Sequence, residues 1–228
     1  MKIGMLLIVL CLITLWLTSP RRRRLVRWHF QRVSVLSYQD WLDAMLSVIQ
    51  MSIVVLVLFG YSARLNLGDF LPFLGRLTWS WQFLVYMVLY LLALIEITLV
   101  VLVLLFDLVL QKDSRLLFKK LTWLAFKPDK PIASLFLLSL VLLADSIFYL
   151  GLLVALGKQS LVSVLGLVLG YALAKACRYS SGLHWVLAFC LFALIGVWAV
   201  TATLLYGWLA GVLVLIVTYT MISFKEQQ

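Results

Sequence analysis

Long apolar runs separated by short polar stretches dominate the chain. Most of them approach or exceed the roughly 20 residues that an α-helix needs to cross a membrane. Seven such runs occur, at residues 4–19, 41–61, 80–110, 132–157, 160–174, 183–204 and 206–223. The pattern predicts an all-α fold, a polytopic integral membrane bundle of about seven transmembrane helices.

Two of these runs differ from a simple span. The run at 4–19 resembles a signal-peptide core in length, but four arginines follow it directly, as in a stop-transfer sequence, so we expect a retained anchor. The run at 80–110 corresponds to about 46 Å of helix at 1.5 Å per residue, against a hydrocarbon core of about 30 Å. We therefore expect one tilted helix that projects into the cytoplasm.

Composition supports the membrane class. Of the 228 residues, 65% are hydrophobic and 12% are charged. Soluble domains contain roughly 45–50% apolar and about 25% charged residues. This composition excludes a water-soluble globular domain and a disordered chain.

The net charge of +10 is distributed unevenly along the chain. Fifteen of the nineteen Lys and Arg residues lie in the stretches after the first, third, fifth and seventh runs. By the positive-inside rule, this distribution predicts an outside N-terminus and a cytoplasmic C-terminus. We therefore interpret the charge as orientation in a membrane, most simply the bacterial plasma (inner) membrane, and we expect no nucleic-acid partner.

The charge pattern also divides the chain into three parts. Residues 1–111 contain three helices and a basic cytoplasmic loop at 20–37, residues 112–131 form a basic amphipathic cytoplasmic linker, and residues 132–228 form a four-helix bundle. Basic residues mixed with Leu and aromatic residues suit the anionic lipids of the inner leaflet or a docking partner, although they could serve only to fix topology. The residues in question are Arg21, Arg22, Arg23, Arg24, Arg27, Lys119 and Lys120.

Ionisable residues inside apolar runs are costly and are candidates for function. Glu96 and Asp107 are eleven residues apart, close to three helical turns, and are expected on one face turned towards the bundle. Asp145, with Tyr149 nearby, lies in the next run. No Lys or Arg is expected deep enough to pair with Glu96 or Asp145, so we expect protonated carboxyls or hydrogen bonds to Ser, Thr or Tyr. Their role is either polar contact between helices or a transport or proton-relay pathway.

Two pairs of glycines have the Gly-x-x-x-Gly spacing that lets helix backbones approach closely. They are Gly166 with Gly170 and Gly207 with Gly211. We expect these residues to pack helices within the bundle, with a subunit interface as the alternative.

Sets of catalytic or ligand residues are missing from the sequence. The two histidines and three cysteines lack the spacing of a metal site, and no nucleophile elbow or phosphate-binding loop occurs. We therefore predict no catalytic residues, no metal and no cofactor.

The segment DSIFYLG at 145–151 resembles the first motif of the CPBP family, the CAAX-prenyl-protease and bacteriocin-processing intramembrane proteins. In that motif two glutamates precede three apolar or aromatic residues, an arginine and a glycine. Asp145 and Ser146 occupy the glutamate positions here, Leu150 the arginine position and Gly151 the glycine position. The resemblance covers residues 113–223 and lacks the histidines of the family. It implies a helical bundle without peptidase activity, a pseudoprotease reused to bind another membrane protein.

These observations lead to three hypotheses of function. The first is a non-enzymatic membrane scaffold or regulatory subunit that binds another integral membrane protein. The second is a transport or permease component that uses the intramembrane carboxylates. The third is a CPBP-like intramembrane protease, which the missing catalytic positions disfavour.

Overall fold

The computed structural model describes residues 8–10, 12–15, 38–60, 67–100, 104, 107–108, 111, 127, 130–157, 161–179 and 182–224. Within these residues every regular element is a helix, which confirms the predicted all-α class. The basic residues assigned to lipid or partner binding, Arg21, Arg22, Arg23, Arg24, Arg27, Lys119 and Lys120, lie outside the described residues.

The described helices follow the predicted apolar runs closely. They are α1 (Tyr38–Gly60), α2 (Leu67–Leu74), α3 (Trp81–Val100), α4 (Pro131–Asp145), α5 (Val154–Gly157), α6 (Leu161–Ala176), α7 (Gly182–Tyr206) and α8 (Trp208–Phe224). A π-helical segment, Ser146–Leu153, joins α4 to α5 without a break in the chain. The short helix α2 lies between two predicted runs and was not expected.

Three of the described helical stretches are long and apolar enough to cross a membrane. They are Asp40–Phe59, Pro131–Leu153 and His184–Tyr206. Shorter apolar helices cover Trp81–Leu94, Val162–Ala176 and Trp208–Ser223. The full count of seven spans and the orientation stay predictions.

The π-helical segment lies at the centre of the packing. It contacts α1, α2, α6, α7 and α8, and Phe148, Leu152 and Leu153 are fully buried there. Helix α7 packs along both α6 and α8, and α1 packs along α4. The N-terminal helix α1 is therefore part of the same core as the four C-terminal helices.

The glycines predicted to pack helices have different surroundings. Gly166 is exposed, and a Cβ there would meet nothing within 4 Å, whereas Gly170 is buried. Gly211 lies at the contact of α7 and α8, where a Cβ would come within 2.7 Å of the Ala199 carbonyl oxygen.

The run 206–223 placed Gly207 within a helix. In the structure Gly207 lies in the turn between α7 and α8, with a φ of +100°. The backbone around Arg76 approaches so closely that a Cβ on Gly207 would lie 2.8 Å from the Arg76 carbonyl carbon. The Thr78 N–H donates to the Tyr206 carbonyl at 2.8 Å, which fastens the segment before α3 to this turn. Glycine is required here because of both the left-handed backbone and the close approach.

Candidate functional site

A stripe of polar residues runs along α1 in an otherwise apolar helix. Its members, Asp40, Asp43, Ser47 and Gln50, are spaced by three, four and three residues. This spacing places them on one face of the helix. Asp43, Ser47 and Gln50 are buried, so the stripe faces the interior.

The outermost member of the stripe pairs with the segment before α4. The Lys127 ammonium contacts the Asp40 carboxylate, and the two side chains are 35% and 16% exposed. The Lys127 N–H also donates to the Ser134 hydroxyl in the first turns of α4 at 3.1 Å. This pair therefore links the beginning of α1 to the beginning of α4 at a partly exposed end of the molecule.

A second ion pair lies about one turn deeper. The Arg178 guanidinium, just after the end of α6, contacts the Asp43 carboxylate, and both side chains are only 3% exposed. Burial lowers the pKa of Arg178 to about 10, which still leaves it charged at neutral pH. The two ions therefore compensate each other in a region closed to solvent.

The innermost member of the stripe reaches Asp145, which is fully buried. Its Oδ2 accepts from the Lys175 ammonium at 2.5 Å and from the Tyr219 hydroxyl at 2.6 Å, while its Oδ1 accepts from the Gln50 amide at 3.2 Å. The hydroxyls of Tyr219 and Tyr171 are 2.7 Å apart. Four elements, α1, α4, α6 and α8, thus meet at one carboxylate.

The expectation that no Lys or Arg could pair with Asp145 is wrong. Helix α6 continues to Ala176, two residues beyond the predicted run 160–174, so Lys175 belongs to its last turn. The ammonium turns inward and lies 5.9 Å from the ring centroids of both Tyr171 and Tyr219. Cation–π contact and the carboxylate together compensate for burial of this charge.

A cavity of about 20 Å³ lies between the two buried ion pairs. A polar cavity of roughly 10–15 Å³ or more can hold one water molecule. The residues that line it are Leu10, Thr14, Asp43, Leu46, Ser47, Gln50, Val141, Tyr149, Ala174, Lys175 and Arg178.

The π-helical segment begins directly after Asp145. Such segments are rare and often occur at functional sites. The Ser146 carbonyl oxygen accepts a hydrogen bond from the Trp208 indole at 3.0 Å, and a Cβ at Gly151 would lie 3.2–3.3 Å from Leu74 and Phe70 of α2. Contacts on both sides therefore fix the backbone that carries Asp145.

Glu96 and Asp107, which were expected to face the bundle, are exposed. Helix α3 buries Phe83, Tyr90 and Leu94, and Glu96 lies two residues beyond Leu94, about 200° around the helix. The exposed face of α3 carries Val85, Val88, Leu89, Leu92, Glu96 and Val100. Glu96 is thus a single carboxylate on an apolar outer face, and it lies outside the cluster around Asp145.

The sequence profile of a protein family described as a family of unknown function (DUF5968) matches residues 84–226. The matched region runs from α3 through α8 and includes Asp145, Lys175 and Tyr219, but not the polar stripe of α1. No curated protein and no solved structure gives a significant match.

Proposed function

Because the chain belongs to the family DUF5968, whose function is unknown, we propose its function from the structure: a non-enzymatic scaffold or regulatory subunit in a membrane. In this proposal the bundle has about seven spans and lies in the bacterial plasma membrane. The exposed face of α3 binds a helix of another integral membrane protein.

The observation that carries this proposal is the position of Glu96. It lies fifteen residues after Trp81, or about 22 Å along α3, which places it inside a hydrocarbon core of about 30 Å if α3 crosses it. A carboxylate in contact with lipid at that depth is costly. A partner helix that covers this face would remove the carboxylate from lipid.

The other charged residues of the long helices support the same interpretation. Across α1, α3, α4, α6, α7 and α8, each remaining Asp or Lys forms an ion pair within the chain. Glu96 forms none with any described residue. Charge complementarity therefore favours a partner helix that presents a Lys or Arg at the depth of Glu96.

The ion pairs also support the proposed orientation, with the N-terminus outside and the C-terminus cytoplasmic. Asp40 follows the first basic stretch, Lys127 belongs to the second and Arg178 to the third. The pairs Lys127–Asp40 and Arg178–Asp43 bring Lys127 and Arg178 to the beginning of α1. Positive charge gathered at one end is the arrangement that a cytoplasmic face requires.

The positions of Glu96 and Asp145 give less support to the two alternative functions. A transport pathway through both Glu96 and Asp145 is not supported, because Glu96 is exposed on α3 while Asp145 is enclosed among α1, α6 and α8. In the CPBP-like protease alternative Asp145 would assist water attack, but its oxygens already accept bonds from Lys175, Tyr219 and Gln50.

Site-specific photocrosslinking tests the proposed docking face. A photoreactive residue at Leu92 on the exposed face of α3 should crosslink to one membrane protein in cells. The same residue at Phe136, which is exposed on α4, is the matched control and should react with lipid. Equal protein crosslinking from both positions, or lipid adducts alone at Leu92, would contradict the proposal.

Charge reversal then tests the chemistry of the partner. Glu96→Lys should abolish recovery of the crosslinked protein, and Glu96→Gln should weaken it, since the amide keeps hydrogen bonds but loses the charge. A Lys→Glu or Arg→Glu change at the matching depth of the identified partner should restore binding to Glu96→Lys. Unchanged binding of Glu96→Lys would overturn the role of Glu96.

A further inference from the structure

We propose that Asp145 and Lys175 form a proton-binding site in the membrane interior, reached from the end at which α1 begins through a water molecule in the cavity. This inference is independent of partner binding at α3. It rests on the arrangement of the ion pairs and on the cavity that separates them.

The polar stripe provides an ordered series of acid–base groups. The exposed fraction of the acidic side chain falls from 16% at Asp40 to 3% at Asp43 and 0% at Asp145. Each step inward along α1 is about one helical turn, from Asp40 to Asp43, Ser47 and Gln50. The series therefore extends from a partly exposed end of the molecule to the centre of the bundle.

The cavity connects the second pair to the third. Its wall includes Arg178 and Asp43 of the second pair and also Lys175 and Gln50, which both contact Asp145. With a volume of about 20 Å³ and several polar groups in its wall, it meets the requirements for one bound water. Such a water would bridge the gap between the ion pairs.

Lys175 is the group that can pass a proton onward, because it lines the cavity and also contacts Asp145 at 2.5 Å. The ammonium gives a proton to Oδ2 of Asp145, and the amine regains one from the cavity water. The water is reprotonated by Asp43, whose carboxylate takes up a proton from the partly exposed end and returns to its charged form when it passes the proton on. The net change is one proton taken up from that end, an Asp145 carboxylic acid and an unchanged Lys175 ammonium.

Other titratable groups frame the site. Tyr219 on α8 donates to Asp145 and is hydrogen-bonded to Tyr171 on α6, and Tyr149 of the π-helical segment lines the cavity. Beyond Asp145, Phe148 and Leu152 are fully buried and apolar. The hydrogen bonds of the described residues lead on from Asp145 to the Tyr219 and Tyr171 hydroxyls. We place the end of the path at these hydroxyls, so the site should take up protons without conducting them across the membrane.

Infrared spectroscopy of the full-length protein in phosphatidylethanolamine–phosphatidylglycerol vesicles tests this proposal. Acidification should produce a carboxylic acid C=O band that is missing in Asp145→Asn. The same band should shift in frequency in Tyr219→Phe, since that hydroxyl donates to the same oxygen. An acid-induced difference spectrum that is identical in the wild type and both variants would overturn the proposal.

A cavity-filling pair of variants tests the water. Ser47 and Ser52 on α1 donate the same type of backbone hydrogen bond, at 2.9 and 2.8 Å, but only Ser47 lines the cavity. Ser47→Val should slow hydrogen–deuterium exchange at the Asp145 band at least tenfold, while Ser52→Val should match the wild type. Equal exchange rates in the two variants would show that the proton does not pass through the cavity water. Proton conduction across the vesicle membrane above the protein-free level would contradict a path that ends inside the bundle.

Discussion

At the scale of single residues, the central feature is a buried ion pair whose carboxylate accepts three hydrogen bonds. Desolvating both charges is expensive, and the attraction between Asp145 and Lys175 offsets that cost only when the remaining lone pairs are also satisfied. Tyr219 and Gln50 satisfy them. The pair therefore specifies how α1, α4, α6 and α8 fit together more than it adds to stability.

This interpretation predicts strong coupling between the two residues. Lys175→Met should lower the free energy of unfolding by about 3–5 kcal/mol, because it leaves the Asp145 charge buried without its counter-ion. Adding Asp145→Asn should recover most of the loss. Unfolding of the four proteins in mild detergent provides the double-mutant cycle. Additive losses in the double variant would show that the two residues act separately.

At the scale of elements, the turn between α7 and α8 depends on Gly207. Ala at this position would place a Cβ in a left-handed backbone and against the Arg76 carbonyl. Gly207→Ala should therefore destabilise the protein by about 1–3 kcal/mol or more. Gly166→Ala is the matched control, since the site is open and helical, and it should be neutral or stabilising by up to about 1 kcal/mol. Thermal unfolding compares the two variants. Similar melting temperatures for Gly207→Ala and Gly166→Ala would contradict the role of Gly207 in the turn.

The helices themselves were largely predictable, because apolar runs of membrane length specify an element by composition alone. The candidate site was predictable only in part. Asp145 stood out as an acid in an apolar run, but Lys175 looked like a loop residue because the end of a helix is uncertain by one or two residues. Because α6 is two residues longer than its apolar run, Lys175 belongs to the helix and becomes the buried partner of Asp145.

The polar stripe of α1 is visible in the sequence as a helical repeat. Asp40, Asp43, Ser47 and Gln50 recur at helical spacing at the beginning of the second apolar run. Whether Glu96 is buried or exposed depends, by contrast, on which face of α3 packs against the bundle, and α3 is apolar on every side. Periodicity cannot choose between faces of equal hydrophobicity, so only the tertiary contacts show that Glu96 is outside.

At the scale of the whole molecule, the charges separate into two classes. In the first class, three acids and three bases are matched one to one, two pairs on α1 and one between α4 and α6, and these pairs contribute no net charge. Outside the pairs, the excess of basic residues lies in the stretches that the positive-inside rule assigns to the cytoplasm. The same end of the molecule thus contains the entrance to the polar stripe and the predicted cytoplasmic surface.

Labelling with a membrane-impermeant thiol reagent tests this sidedness. In a variant whose native cysteines are replaced, a cysteine at Trp81, exposed at the beginning of α3, should react in intact cells. A cysteine at Lys127, at the end where the ion pairs meet, should react only after the membrane is permeabilised. A reporter fused after Gln228 should also give a cytoplasmic signal. The reverse labelling pattern would show that the bundle has the opposite orientation. The proposed proton site would then open towards the outer side, where acidification of the medium would reach it directly.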